Sequence, residues 1–227
     1  SEKLKAKIRS LGQAERNAND GVSFIQVAEG GMNEIGNMLV RLRELRIKAA
    51  SDTIGDTERG FIDKEVQQLG QEIDRIAKST EYNGRKLLSG EGDVLEIQVG
   101  LNNNKVLDRF QYDVSKTNST AEALGVAGLT VATKEDAQNN LDKIDHAITK
   151  LSENRAEMGA LQNRLQSSLN NMQIYNENLS AGNSRIRDVD VASETAELTK
   201  NNILTQATTA VLGQANQNSM MALKLIG

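Results

Sequence analysis

Residues 22–49 read VSFIQVAEGGMNEIGNMLVRLRELRIKA. Within them Val22, Ile25, Ala28, Met32, Ile35, Leu39, Leu42, Leu45 and Ala49 recur every three or four positions. That spacing draws one narrow apolar stripe along a helix. The phase extends backward through Ala18, Leu11, Ile8 and Leu4, so residues 1–50 read as one helical segment. At about 1.5 Å per residue it is roughly 75 Å long. Asn19-Asp20-Gly21 has the composition of a turn, but the phase carries through it, which predicts a weakened helix instead. Gly30-Gly31 is a second weak spot, at about 1 kcal/mol per glycine relative to alanine.

A second stripe lies near the other end: Ala137, Leu141, Ile144, Ile148, Leu151, Met158, Leu161, Leu165, Leu169, Met172 and Leu179. Thr133 is the expected N-cap of its helix, which runs to about Arg187. Arg155 interrupts this stripe as Glu15 interrupts the first. Between the two, Ser51 to Asp56 reads as a loop, with Asp56 or Thr57 capping a helix that carries Ile62, Val66, Leu69, Ile73 and Ile76 and ends near Lys78. Tyr82-Asn83-Gly84 is a turn. Leu95, Ile97 and Val99 then alternate with polar residues, as do Phe110, Tyr112 and Val114, which predicts a β-hairpin. Ala121 to Leu124 is expected to form a turn of helix and Leu129 to Ala132 a short strand. Asp188-Val189-Asp190 breaks the helical pattern. Segment 192–225 resumes it with Ala196, Ile203, Ala207, Ala210, Val211, Gln214, Met221 and Leu225, and its stripe has no evident partner. The expected fold is mainly α, an elongated antiparallel helical bundle or coiled-coil rod with a small β-hairpin region, plus a C-terminal helix.

Composition agrees with a thin bundle. Apolar residues make up 38% of the 227 and aromatics only 3%, with no tryptophan, so large side chains for a substrate pocket are scarce. A net charge of -4 leaves no basic footprint for nucleic acid. The chain has no cysteine, which removes disulfides, thiolate nucleophiles and Cys-based metal sites. It has no proline, which permits long uninterrupted helices. No apolar run approaches the length of a membrane span, so no membrane insertion is expected. Ser1 already lies in the helical pattern and is not an initiator methionine, which favours an excised piece of a longer protein.

Candidate chemistry is sparse. His146, the single histidine, lies off the stripe with no nucleophile or ligand set near it. Asp188, Asp190 and Glu194 resemble a fragment of a calcium loop without its glycine, and read better as capping residues. Gly30-Gly31 follows no strand and fails the dinucleotide context. Asn118-Ser119-Thr120 and Asn178-Leu179-Ser180 match the short glycosylation pattern. Arg41, Arg43, Arg46 and Lys48 form a basic cluster that reads as a solvated helix face with local ion pairs. No catalytic residue, cofactor site or metal site is expected, and an enzyme is the least supported class.

Several motifs, in order along nearly the whole chain, resemble bacterial flagellin. They are Arg16-Asn17-Ala18-Asn19-Asp20-Gly21, Leu42-Arg43-Glu44-Leu45, Tyr82-Asn83-Gly84-Arg85-Lys86-Leu87-Leu88 and Ile97-Gln98-Val99-Gly100. Near the other end stand Ser184-Arg185-Ile186-Arg187-Asp188-Val189-Asp190 and Gln214-Ala215-Asn216-Gln217. Two departures matter. The family has a further helical stretch before the equivalent of Ser1, which pairs with the C-terminal helix in the filament's inner tube. Residues 90–133 also leave no room for the large outer domains that many members insert.

The resemblance implies a filament subunit, secreted and extracellular, that self-assembles into a helical tube for motility. Its implied organisation is a rod at 1–187, made of N-terminal helices at 1–86, a β-hairpin region at 87–132 and a long helix at 133–187. An inner-tube helix follows at 188–227. Subunit packing is expected at Asn17, Asn19, Asp20, Arg41, Arg43 and Glu44, within polar patches at 16–21, 41–48 and 51–60. The hairpin at 94–114 is a candidate conformational switch for filament supercoil. Ile203, Leu204, Ala207, Val211, Met221 and Leu225 would form a face for a partner helix or for the flagellin export chaperone. Hook-associated junction proteins and cap proteins are further implied partners. So is the vertebrate flagellin-sensing Toll-like receptor, by resemblance at Leu39, Arg41, Leu45 and Glu65. The alternatives are a hook–filament junction protein of similar architecture and a helical binding or adaptor module.

Overall fold

The computed structural model describes residues 2–187 and 191–226, with side chains described for 2–186 and 192–217. It divides into two compact units, Ala6–Asn178 and Ser1–Lys5 with Leu179–Gly227. Helix α1 spans Glu2–Ala49, α2 Asp56–Ser79, and two short strands follow, β1 at Glu81–Tyr82 and β2 at Arg85–Lys86. A second strand pair is β3 at Leu95–Gln98 and β4 at Arg109–Tyr112. Helices α3 at Lys134–Asn139, α4 at Leu141–Arg187 and α5 at Val191–Ile226 complete the chain.

The unit Ala6–Asn178 is built on three helical passages, α1 with α2 and α4 each antiparallel to it. Asn176 Nδ2 donates to Glu15 Oε1 at 3.2 Å, and Arg43 Nε donates to Asp145 Oδ1 at 2.7 Å. As numbers rise along α1 they therefore fall along α4. Arg41 Nε donates to Glu65 Oε1 at 2.9 Å and Arg59 Nε to the Ala49 carbonyl at 2.8 Å, so α2 also runs antiparallel to α1. Buried along α1 are Leu11, Ala18, Ile25, Ala28, Met32, Ile35, Leu39, Leu42, Leu45 and Ala49 of the expected stripe, on α2 Ile62, Val66 and Ile73, and on α4 Ile144, Leu151, Met158, Leu161, Leu165, Leu169 and Met172. Leu4, Ile8, Val22, Leu69, Ile76, Leu141, Ile148 and Leu179 of the same stripes are only half-buried.

α1 runs unbroken through Asn19-Asp20-Gly21, and the expected weak spot is a contact point. A Cβ built on Gly21 would lie 2.9 Å from Ile97 Cδ1 and 3.3 Å from Leu165 Cδ1. The hairpin and α4 therefore approach the α1 backbone here as only a glycine permits. Gly31 plays the same part against Thr80 and Leu88, while Gly30 faces open space.

Asn83 and Gly84 have φ of 49° and 76°, the left-handed pair that a two-residue type I′ turn requires, and they join β1 to β2. The longer hairpin pairs Leu95 with Tyr112 through Gln98 with Arg109. Tyr112 turns inward. Phe24 meets it edge-on with ring centroids 4.8 Å apart, and its hydroxyl donates to the Leu87 carbonyl at 2.7 Å. Burial pushes the Tyr112 phenol up to about 12.

Three local expectations are corrected. The N-cap of α2 is Gly55, which has no side chain to cap with, rather than Asp56 or Thr57. Residues 129–132 form no strand. The Leu129 carbonyl accepts from Gln67 Nε2 at 2.8 Å, and Asp63 Oδ1 accepts from Val131 N at 2.7 Å and from Thr130 Oγ1 at 2.8 Å. The side chains of α2 satisfy backbone groups that a neighbouring strand would otherwise have taken. The second long helix is divided: Thr133 caps α3 by accepting from Asp136 N at 3.1 Å, and Asn140 separates α3 from α4. The expected helical turn at 121–124 is present, closed by Leu124 N to the Thr120 carbonyl at 2.9 Å.

In the unit containing α5, that helix extends over 36 residues. Leu198, Ile203, Leu204, Val211 and Leu212 are all exposed along it.

Candidate assembly surfaces

The basic cluster on α1 divides when its side chains are placed. Arg41 donates to Glu65 on α2, and its Nη1 reaches Glu44 Oε2 at 3.1 Å. Arg43 donates to Asp145 on α4. Both guanidinium groups are held above their ordinary pKa, Arg41 chiefly by its bond with Glu65 and Arg43 by its bond with Asp145. All five partners in these pairs are solvent-accessible, so the pairs give charge pattern and register rather than much stability. α1 thus shows solvent a strip of Val40, Glu44 and Ile47, flanked by the Arg41 pair on the α2 side and the Arg43 pair on the α4 side.

Arg46 does not belong to that solvated face. It is fully buried, and none of its three guanidinium nitrogens has a hydrogen-bond partner among the described residues. Burial pulls its pKa below the ordinary value, outweighing the attraction of Asp136 and Asp63. A signal for this exists in the sequence: Arg46 lies four residues after Leu42 and three before Ala49, on the stripe itself. Asn154, buried three residues after Leu151, likewise fills the gap left when Arg155 is read as the interruption; its Nδ2 lies 3.4 Å from Ser119 Oγ.

Other expected site residues fall into place unevenly. Leu39 and Leu45 are buried in the core, so of the four receptor-contact positions only Arg41 and Glu65 present a surface. Asn17 is half-buried and spends its amide within the chain: Nδ2 donates to the Gln98 carbonyl at 3.0 Å, and Oδ1 accepts from Gln13 at 3.0 Å. Asn19 and Asp20 are exposed. Ile203, Leu204, Ala207 and Val211 are exposed on α5; the side chains of Met221 and Leu225 lie outside the described residues. His146 is exposed. Asp188 and Asp190 lie outside the described residues. Asn118 of the first glycosylation pattern turns its Oδ1 inward to Thr120 N at 3.1 Å and Oγ1 at 2.9 Å. Among the described residues no group of His, Asp and Glu is placed to hold a metal ion, and no helix is long and apolar enough to cross a membrane.

A groove of about 720 Å³ opens between α1 and the two strand pairs. Phe24, Tyr82, Val94, Leu95 and Ile97 supply its apolar lining, and Asp20, Asp93, Glu96 and Arg85 its charges. Arg109 Nη1 pairs with Glu96 at 2.8 Å, and Gln111 donates to the same carboxylate at 3.0 Å. These two bonds, Gln111's first, hold Glu96 below the usual carboxylate range.

Known proteins resemble this arrangement at both levels. Residues 1–93 match the bacterial flagellin N-terminal helical region and residues 141–226 the bacterial flagellin C-terminal helical region. A flagellin of Halalkalibacterium halodurans is 40% identical over 226 residues, covering 100% of this chain and 82% of that protein. A flagellin of Bacillus subtilis is 38% identical, covering 100% of this chain and 84% of that protein. The crystal structure of Bacillus cereus flagellin superposes with a TM-score of 0.60 at 31% identity, covering 69% of this chain and 88% of that one. A protein described as flagellar hook-associated, from Vibrio parahaemolyticus, shares the fold at a TM-score of 0.64 but only 14% identity, over 79% of this chain and 92% of that one. Fold alone links the chain to the hook-associated protein, whereas sequence and fold together link it to the filament proteins: the chain belongs to the bacterial flagellin family, whose members are structural subunits of the flagellar filament.

Proposed function

We propose that this chain works by assembly alone, as the subunit of an extracellular filament used for motility, and carries out no catalysis. The observation that carries the reading is α5, a 36-residue helix whose large apolar side chains stand in solvent. Leu198, Ile203, Leu204, Val211 and Leu212 would not remain exposed in a working protein without a partner. Ile203, Leu204 and Val211 lie on one side of the helix and Leu198 and Leu212 on the other, and in the filament neighbouring helices cover both. Before assembly, the export chaperone covers the first side at Ile203, Leu204, Ala207, Val211, Met221 and Leu225. The corresponding organisation is a rod at 1–187 and an inner-tube helix at 188–227, joined by contacts that repeat without closing.

The exposed strip on α1 supplies lateral contacts through Arg41, Arg43 and Glu44, together with Asn19 and Asp20. The Arg41–Glu65 pair is the part of this surface open to the vertebrate flagellin-sensing receptor. Junction and cap proteins of the hook-associated type would meet the same surfaces at the filament's ends.

The test is electron microscopy, under polymerising conditions, of the chain joined to the helical stretch that the family carries before the equivalent of Ser1, alongside a Leu204→Glu, Val211→Glu variant of that same extended chain. Long helical filaments are expected from the unsubstituted extended chain and none from the variant. The variant should keep an unchanged thermal transition, because both side chains are exposed in the monomer. A monodisperse monomer from the unsubstituted extended chain, or filaments from the variant, overturns the reading.

A further inference from the structure

The most exposed large apolar side chains described are not on a helix. Val106 and Leu107, at the tip of the β3–β4 hairpin, are 84% and 77% exposed. The loop that carries them is held on every side. Asn104 Oδ1 accepts from Val106 N at 2.9 Å and from Leu107 N at 3.2 Å. Asn104 N donates to Asp108 Oδ2 at 2.9 Å, and Asp108 N donates to the Asn104 carbonyl at 2.9 Å. The Asp108 carbonyl accepts from Val99 N and Gly100 N at 2.8 and 3.0 Å. The buried Asp108 carboxylate lies where a Cβ on Gly100 would fall, so that position must be glycine. Two aliphatic side chains and Lys105 are thus presented on a rigid turn. A rigid apolar surface loses little conformational freedom on binding.

The groove between α1 and the strand pairs complements that tip. Tyr82, Val94 and Ile97 offer apolar surface above a floor formed by the buried Phe24, and Val94 is itself exposed. Of the charges around it, Glu96 is already paired with Arg109. Asp20, Asp93 and Arg85 form no ion pair among the described residues, nor does Lys105 on the tip. The unpaired charges of the groove therefore sum to net negative, and the tip is positive.

We propose that the Lys105-Val106-Leu107 tip of one copy docks into the Phe24–Tyr82–Val94–Ile97 groove of the next, with Lys105 against Asp20 and Asp93. Tip and groove are different patches of the same chain, so the contact is head-to-tail and propagates without closing. The inference rests on the filament reading and names a contact within it.

Since the chain has no native cysteine, the contact can be read by cross-linking. Val106→Cys and Val94→Cys variants of the extended chain would be polymerised together and treated with a short thiol-specific bismaleimide. Both positions are exposed, so folding should be unaffected. A cross-linked dimer is expected from the mixture at least tenfold above either variant polymerised alone. A Lys105→Glu variant should assemble at least tenfold more slowly, and adding Asp93→Lys should restore the rate. Filaments that form normally without the 94–106 cross-link overturn the contact and leave the filament reading standing. So does a cross-link from the Val106→Cys variant alone, which would mean tip meets tip. If the unsubstituted extended chain forms no filament, both readings fall.

Discussion

Gly21 and Gly30 stand on the same helix and are equal by propensity, yet their surroundings give them opposite roles. Gly30 faces open space, so Gly30→Ala should gain about 1 kcal/mol of stability from helix propensity. At Gly21 the same methyl would press on Ile97 and Leu165. Overpacking of that kind costs about 1–3 kcal/mol, enough to cancel the propensity gain and leave a net loss of about 1 kcal/mol. Urea unfolding of the two variants checks the pair, and shifts of the same sign would refute the assignment. Tyr112 gives a residue-scale prediction in pH. Its phenol is raised to about 12 in the folded chain against 10.0 for the ordinary group. The stabilisation from keeping it neutral is complete below pH 10 and is lost as pH rises toward about 12. The loss is on the order of 2–3 kcal/mol. Tyr112→Phe should remove that alkaline step from a stability-versus-pH curve, while costing about 1 kcal/mol at neutral pH for the bond to the Leu87 carbonyl. An unchanged alkaline limb would show that another group controls it.

Among the elements, the irregular segment 114–131 shows how a stretch without ladder bonds can still be core. Val114, Ala121, Leu124, Val126, Leu129 and Val131 are all buried. It is bound to α2 at three heights: Asp74 Oδ1 accepts from Ala121 N at 3.3 Å, Gln67 donates to the Leu129 carbonyl, and Asp63 receives Thr130 and Val131. On its other side Lys150 of α4 donates to the Ala123 carbonyl at 2.8 Å. Asp63→Ala should cost about 2 kcal/mol by leaving the Val131 amide without its acceptor. Amide exchange should accelerate at Val131 and stay slow at Ile35 in the centre of α1. Uniform acceleration would mean that the segment opens only with the whole unit. This element resists sequence reading because its partners are Asp and Gln side chains on the exposed register of a helix, not a neighbouring strand.

For the whole molecule, two surfaces dominate the functional argument. α5 presents leucine, isoleucine and valine to solvent along its length, and the hairpin tip presents Val106 and Leu107. The α5 surface was legible in the sequence as a stripe without a partner, whereas Val106 and Leu107 were visible only as apolar residues, of which any fold exposes some. The long α1 and α4 stripes were legible because a 3–4 repeat has one physical solution, and most of their positions from Leu11 to Met172 bury, with Val22, Leu141 and Ile148 left half-buried. The basic run at 41–48 was legible only as a charge cluster. Placement separates Arg41 and Arg43, paired across to α2 and α4, from Arg46, sealed in the core.

The sequence by itself determined the long helices, the β3–β4 hairpin, the turn at 82–84 and the flagellin kinship, because periodicity, turn chemistry and ordered motifs are local properties of the chain. Tertiary structure decided what each stripe position does. Gly21 and Gly31 became points of close approach, Arg46 was sealed in the core, and residues 129–132 were fastened to α2 instead of to a strand. Only it joined the acidic rim to the apolar floor of one groove. Those outcomes depend on which side chain arrives from a distant element, and a local pattern carries no information about that arrival.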